Sequence, residues 1–262
     1  MKLRVRFQKL GKVRWISHRD IARCIERAVR RANLPVAYSE GFTPRPRISF
    51  GLALPTGAES LAEYLDIDFG NNEVDFDAVG PALSAGLPLG IDVTGTATLP
   101  PRADSLQESV ARCRWELGVF NAGNEQIRDA AWFAHAASSV MATQELVVTR
   151  ERKGVMVTDD IRPNIAALSA EARPDGTPIL VADLNTLPRG IRPAELGLAL
   201  ELPVARLDVR RTHQWIAPDG VLTEPLTLDE SSHSCPSLPP TTPQPPGDVA
   251  GGPIDLETSL TS

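Results

Sequence analysis

The chain is predicted to be an α+β protein: two ferredoxin-like (split βαβ) units in tandem, followed by a disordered tail. Three observations carry this. Residues 1–105 run strand, helix, strand, strand, helix, strand, and residues 110–228 repeat that order with more noise. From 229 to 262 aromatic residues vanish while seven prolines gather among Ser, Thr and Gly.

In the first unit LRVRF (residues 3–7) alternates Leu3, Val5 and Phe7 with Arg4 and Arg6, the period of a half-buried strand. The helix after it opens at Ser17, with Asp20 three residues on, so that the hydroxyl accepts from an orphan N–H while the carboxylate reaches back. Ile21, Cys24, Ile25, Ala28, Val29 and Ala32 then form one apolar stripe, and Asn33 and Pro35 stop the helix. A second strand over RISFGLAL (47–54) turns Ile48, Phe50, Leu52 and Leu54 one way, and a third, EYLDIDF (63–69), does the same with Leu65, Ile67 and Phe69. A short helix over 76–88 carries Pro81 in or near its first turn, and GIDVTGTATL (90–99) closes the unit as a fourth strand.

In the second unit strands are expected at 114–120, 144–152, 154–161, 178–185 and 205–216, with helices at about 124–139 and 192–202 and a loose turn over 161–170. The segment 229–262 lacks the apolar area to offset its ordering entropy and is expected to be a disordered tail.

No apolar run nears the roughly 18 to 20 residues of a membrane span, and Met1 leads into a strand pattern and not a signal peptide, so a cytoplasmic protein is expected. Cys24, Cys113 and Cys235 are too scattered for a disulfide framework or a Cys-x-x-Cys site, and neither metal nor cofactor is expected. The net charge of −6 conceals an asymmetry: residues 1–50 hold 13 Lys and Arg against 3 acids, a local +10 that leaves −16 for the remainder. Binding responds to the potential within about 8 Å at physiological salt, so the first fifty residues can grip phosphate despite the acidic total.

Opposite the apolar stripe stand Arg19, Arg23, Arg27, Arg30 and Arg31, a basic ridge whose plainer reading is a solvated helix face tied in part by Glu26 to Arg30. SEGFTPRPRISFG (39–51) adds Arg45 and Arg47 on a loop stiffened by Pro44 and Pro46, with Gly41 supplying an unusual backbone angle. A rigid loop presenting guanidinium groups suits a planar, bidentate anion such as phosphate. The alternative is turn chemistry alone, with Phe42 plugging the core. With Arg14 and His18 these arginines make up the candidate RNA- or anion-binding set.

His18 and Tyr38 are the candidate pair for metal-free RNA cleavage, in which a base activates a 2′-hydroxyl; a histidine at a helix start more often bonds locally. Arg4 and Arg6 are expected to pair with Asp66 and Asp68 across the open sheet face, which then offers ions where an RNA-reading sheet offers stacked aromatics. Asp159 and Asp160, followed by Arg162, lack a third ligand at metal-binding spacing. His213 and Trp215, flanked by Arg210 and Arg211, are read as core packing, and His135 and His233 are given no role.

The stretch WISHRDIARCIERAVRRANLPVAYSEGFTPRPRISFGLALPTGAESLAEYLDIDF (15–69) resembles the radical SAM-linked protein family, an uncharacterised bacterial domain. The match is carried by Ser-His-x-Asp (17–20), Arg-Arg-Ala (30–32), Tyr-Ser-x-Gly-Phe-x-Pro-x-Pro (38–46) and Glu-Tyr-x-Asp (63–66), and it continues more weakly through DIRP (160–163), RP (192–193) and RRTHQW (210–215). It implies a domain fused to, or encoded beside, radical SAM proteins, often near ribosomal and ribonuclease genes. This chain has no Cys-x-x-x-Cys-x-x-Cys triad to hold the radical SAM cluster itself. Tandem ferredoxin-like units are also similar to the RNA-processing endonucleases of CRISPR systems, a fold-level analogy.

The expectation is an RNA- or anion-binding accessory protein, partner of a radical SAM RNA-modifying enzyme. The alternatives are a metal-free RNA endonuclease using His18 and Tyr38, and an interaction module whose ridge docks an acidic protein surface.

Overall fold

The structure is a computed structural model and describes residues 1–226 apart from 101, 102, 122, 124, 153, 204, 205 and 219. The proline-rich segment 229–262 lies outside the described residues. In the first half β1 (Lys2–Lys9), α1 (His18–Arg31), β2 (Ile48–Phe50), β3 (Glu59–Asp68), α2 (Phe76–Gly86) and β4 (Ile91–Leu99) follow one another. The strands lie in the order β4-β1-β3-β2, every neighbouring pair antiparallel. Leu3, Val5 and Phe7 of β1 and Leu65 and Ile67 of β3 pack under Ile21, Ile25, Ala28 and Val29 of α1 and Val79 and Leu83 of α2.

Local chemistry sets the boundaries. Ser17 caps α1 by accepting from the Asp20 N–H at 3.2 Å, and its hydroxyl in turn donates to the Asp20 carboxylate at 2.7 Å. Asn33, with φ at 50°, turns the chain out of the helix. Pro81 sits inside α2, beyond the first turn where its missing N–H would cost nothing. The strand expected over 47–54 stops at Phe50. Leu52 and Leu54 leave it to pack in the core of the other half.

That second half begins with a short helix, α3 (Leu106–Ser109), then β5 (Val110–Val119), α4 (Ala130–Ala142), β6 (Val147–Arg152), β7 (Val155–Asp160), β8 (Ile165–Ala172), β9 (Pro178–Asn185), α5 (Pro193–Ala199) and β10 (Leu207–Ile216). Its strand order is β10-β5-β9-β8, with β6 and β7 forming a separate hairpin. Helix α4 starts later than the expected 124, because Asp129 accepts from the Trp132 N–H at 2.8 Å and fixes the cap there. β8 falls where the sequence suggested a loose turn. It pairs with β9 from Ile165 to Ala172, so edge pairing overrides the weak strand preference of IAALSAEA.

The two halves join edge to edge. β3 and β10 run parallel, with Arg210 opposite Glu59 and Arg211 opposite Ser60, giving one mixed eight-stranded sheet. Arg211 is 1% exposed. It bonds both Glu63 carboxylate oxygens (2.6 and 2.7 Å) and the Leu52 carbonyl (2.9 Å), and lies 5.2 Å over the Trp115 ring. Trp115 belongs to the core beneath α4, and Glu63 stands opposite Phe7 in the core beneath α1, so the helices of both halves cover the same sheet face.

Candidate nucleic-acid interface

Burying Ile21, Ile25, Ala28 and Val29 rotates Arg19, Arg23, Arg27, Arg30 and Arg31 outward, and all five are exposed. Arg23 pairs with Asp20 at 3.1 Å, and Arg30 reaches Glu26 at 4.0 Å. Arg27 donates to the Arg23 carbonyl at 3.2 Å, and Arg31 to the Gly86 carbonyl of α2 at 3.2 Å.

The loop between α1 and β2 is a stiff two-stranded arm. Ala37 N–H donates to Asp68 (2.8 Å), Arg47 N–H to Ala37 (2.8 Å), and Ser39 N–H to Arg45 (2.9 Å), while Tyr38 and Pro46 form a β-bridge. The Ser39 hydroxyl accepts from the Arg45 N–H at 3.1 Å, and Gly41 turns the tip with φ at 119°. Phe42 at that tip is entirely in solvent, not the core plug considered from sequence. Arg45 and Arg47, with Lys2, Ser39 and Ser49, border a concavity of about 450 Å³ that Asp66 and Asp68 also line. Both carboxylates are engaged, Asp66 by Arg4 at 2.8 Å and Asp68 by Arg47 at 3.6 Å.

These cations form two groups. Lys2 stands opposite Asp68, and both alternate with Leu3 and Ile67 of the helix-covered core, so the loop's concavity opens on the sheet face that α1 does not cover. The ridge lies on the other side, connected to the loop through residues 32–38. Arg14 joins neither: it is half-buried and pairs with Asp208 of the second half at 2.6 Å. Of the first fifty residues' cations, Lys2, Lys12, Arg19, Arg23, Arg27, Arg30, Arg31, Arg45 and Arg47 are exposed. Among the described residues, six of these nine (Lys2, Lys12, Arg19, Arg27, Arg31 and Arg45) have no carboxylate within 4.0 Å.

His18 meets Phe50 edge to face at 5.4 Å and, with Lys9, Phe50 and Glu63, lines a cavity of about 10 Å³, room for one water. Tyr38 is 44% exposed on the loop arm. Among the described residues no hydrogen bond or ring contact joins the two.

On the open face Arg4 grips Asp66 through two bonds of 2.8 and 3.0 Å, as strand pairing predicts. Arg6 instead turns to Glu224 at 3.5 Å, because the chain after β10 returns over this face, and Asp68 is left to Arg47. His213 and Trp215 are half-buried on the open face and not in the core. Their rings stack at 5.4 Å and 7°, and Arg114 lies 5.2 Å over Trp215. Strand alternation alone did not show this face, because bulges in β10 between Arg211 and His213 reset it. Burial, more than the neighbouring Arg114 and Arg6, holds the His213 imidazole below its ordinary value.

Asp159 is taken by Arg150 (3.1 Å) and Arg189 (2.8 Å), and Asp160 accepts from the backbone of Leu146 and Arg162. Among the described residues no three His, Cys, Asp or Glu side chains are placed to hold a metal ion, and no helix is long and apolar enough to cross a membrane.

Fold and surface together define a mixed-sheet α+β protein with a cationic helix and a cationic loop arm at one end. The chain belongs to a family described as "uncharacterized protein conserved in bacteria" (DUF2344), whose model matches residues 2–193. That match ends at the first residue of α5, short of β10, the strand that joins the two halves. No curated protein matches the chain.

Proposed function

We propose that this protein is an RNA-binding accessory factor, that its first fifty residues carry the contact surface, and that it serves a radical SAM enzyme acting on RNA. The observation that carries the RNA reading is the set of six exposed cations that, among the described residues, have no carboxylate within 4.0 Å, in a chain whose total charge is −6. Where acids outnumber bases, exposed cations with no carboxylate in reach among the described residues, four of them (Arg19, Arg27, Arg31 and Arg45) on α1 and the loop arm, favour an external anion. The enzyme partner rests on the resemblance of residues 15–69. The strand orders β4-β1-β3-β2 and β10-β5-β9-β8 support reading each half as a ferredoxin-like unit, the second interrupted by the β6–β7 hairpin.

The test is affinity for a structured RNA measured with the full chain and with an Arg19→Ala, Arg23→Ala, Arg45→Ala variant. All three side chains are exposed, so the variant keeps its fold while losing at least tenfold in affinity. Unchanged affinity rejects the surface. Purification of the tagged chain from its native cells, with RNA and protein identified together, tests the partner.

A further inference from the structure

Phe42 is the largest apolar side chain on the loop arm and has no packing role in the fold. Its exposure is 111% of the reference value, so among the described residues none packs over the side chain. The arm below it is nevertheless tied, by the Ser39 to Arg45 pair of bonds and the Tyr38–Pro46 bridge, which close the tip over residues 40–44. A short tip closed on a bonded base suits a ligand-facing aromatic, since the tie leaves the tip less conformational freedom to lose on contact than an open loop has.

The surroundings narrow the ligand. Glu40, Gly41, Thr43, Pro44 and Arg45 are all exposed, and the further apolar surface on the arm is that of Pro44 and of Tyr38, which is 44% exposed. Stable protein interfaces are built on a contiguous apolar core with about 800 Å² buried per partner, which one ring with a proline and a part-exposed tyrosine does not supply. A nucleobase asks for less: one π-face, with cations nearby for the backbone. Arg45 lies three residues from Phe42, and Lys2, Arg47 and Ser39 border the adjoining concavity of about 450 Å³. Duplex RNA keeps its base faces stacked on one another, out of reach of such a ring, whereas unpaired bases expose theirs.

We infer that the 38–46 arm is a single-strand reader: Phe42 stacks on an unpaired base while Arg45 and Lys2 hold the flanking phosphates. This rests on the RNA reading above and adds to it the ligand's secondary structure and the residue that senses it.

The experiment is fluorescence anisotropy with the full chain, a labelled 12-nucleotide RNA as a single strand and as a duplex, and vesicles of phosphatidylcholine with 30% phosphatidylserine. Phe42→Ala lowers single-strand affinity about 5- to 160-fold, the range for one lost base stack, and leaves the salt slope unchanged because no charge is removed. Phe42→Trp retains binding, and both variants melt with the wild type because the ring is unpacked. RNA binding in which strand and duplex bind equally and Phe42→Ala is neutral overturns the single-strand assignment and leaves the RNA reading standing. Absence of any salt-sensitive RNA binding by the wild type overturns both. Vesicle binding that depends on Phe42, without RNA binding, assigns the arm to a lipid surface and likewise overturns the inference.

Discussion

Arg211 puts a full positive charge at a site 1% exposed, and Glu63, the Leu52 carbonyl and the Trp115 face together satisfy it. Removing one partner of a buried pair leaves the other charge uncompensated. Arg211→Ala or Glu63→Ala is therefore expected to cost about 3–5 kcal/mol in urea unfolding, and Arg211→Met combined with Glu63→Leu much less than the sum. Asp208 supplies a second test. Burial raises its carboxyl, but hydrogen bonds from Arg173 and Arg14 outweigh that and hold it below its ordinary 3.8. A depressed carboxyl contributes stability that is full above its unfolded value and is lost as pH falls through the folded one. Asp208→Asn should thus be less stable than wild type at pH 7, with the gap closing below about pH 4. Neither role was legible in the sequence. Alternation shows which way Arg211 points relative to Val209, but the carboxylate that meets it lies 148 residues away on another strand.

At the scale of elements, periodicity placed β1, α1 and the Glu63–Asp68 part of β3 because each carries a regular apolar stripe, but β3 begins earlier, at Glu59, and is buried on both faces, so its first residues show no alternation. Periodicity missed β8, where Ala166, Ala167 and Ala170 give no strong strand preference and pairing with β9 decides. It also overextended β2, since Leu52 and Leu54 keep a strand's alternation while serving the other half's core. Gly90 shows a constraint of another kind: with φ at 93°, a Cβ there would collide with the Leu10 carbonyl, which the Ile91-side turn brings close. Gly90→Ala is expected to cost about 2 kcal/mol or more in thermal or urea unfolding. Ser17→Ala should cost about 1 kcal/mol through loss of the α1 cap. A null effect at Gly90 would contradict the placement of the β4 entry turn.

Over the whole molecule, the +10 of the first fifty residues was legible from composition, but its distribution was not. Folding withdraws Arg4, Arg6, Lys9 and Arg14 into buried or half-buried partnerships, places Arg19, Arg23, Arg27, Arg30 and Arg31 on a helix on one side of the sheet, and gathers Lys2, Arg45 and Arg47 around the loop arm's concavity on the other. Only register, with Lys2 opposite Asp68, reveals that division. An RNA strand that contacts both groups must pass around the end of the sheet, so the ridge and the arm should contribute separately to the count of displaced counterions. The most direct measurement is the salt dependence of single-stranded RNA affinity for wild type, an Arg19→Ala, Arg23→Ala, Arg27→Ala variant and an Arg45→Ala, Arg47→Ala variant. Each phosphate contact contributes about −0.7 to the slope of log affinity against log salt. A steep wild-type slope that becomes shallower in each variant is expected, and a slope near zero, or one identical in all three proteins, would contradict RNA contact through the two cationic groups.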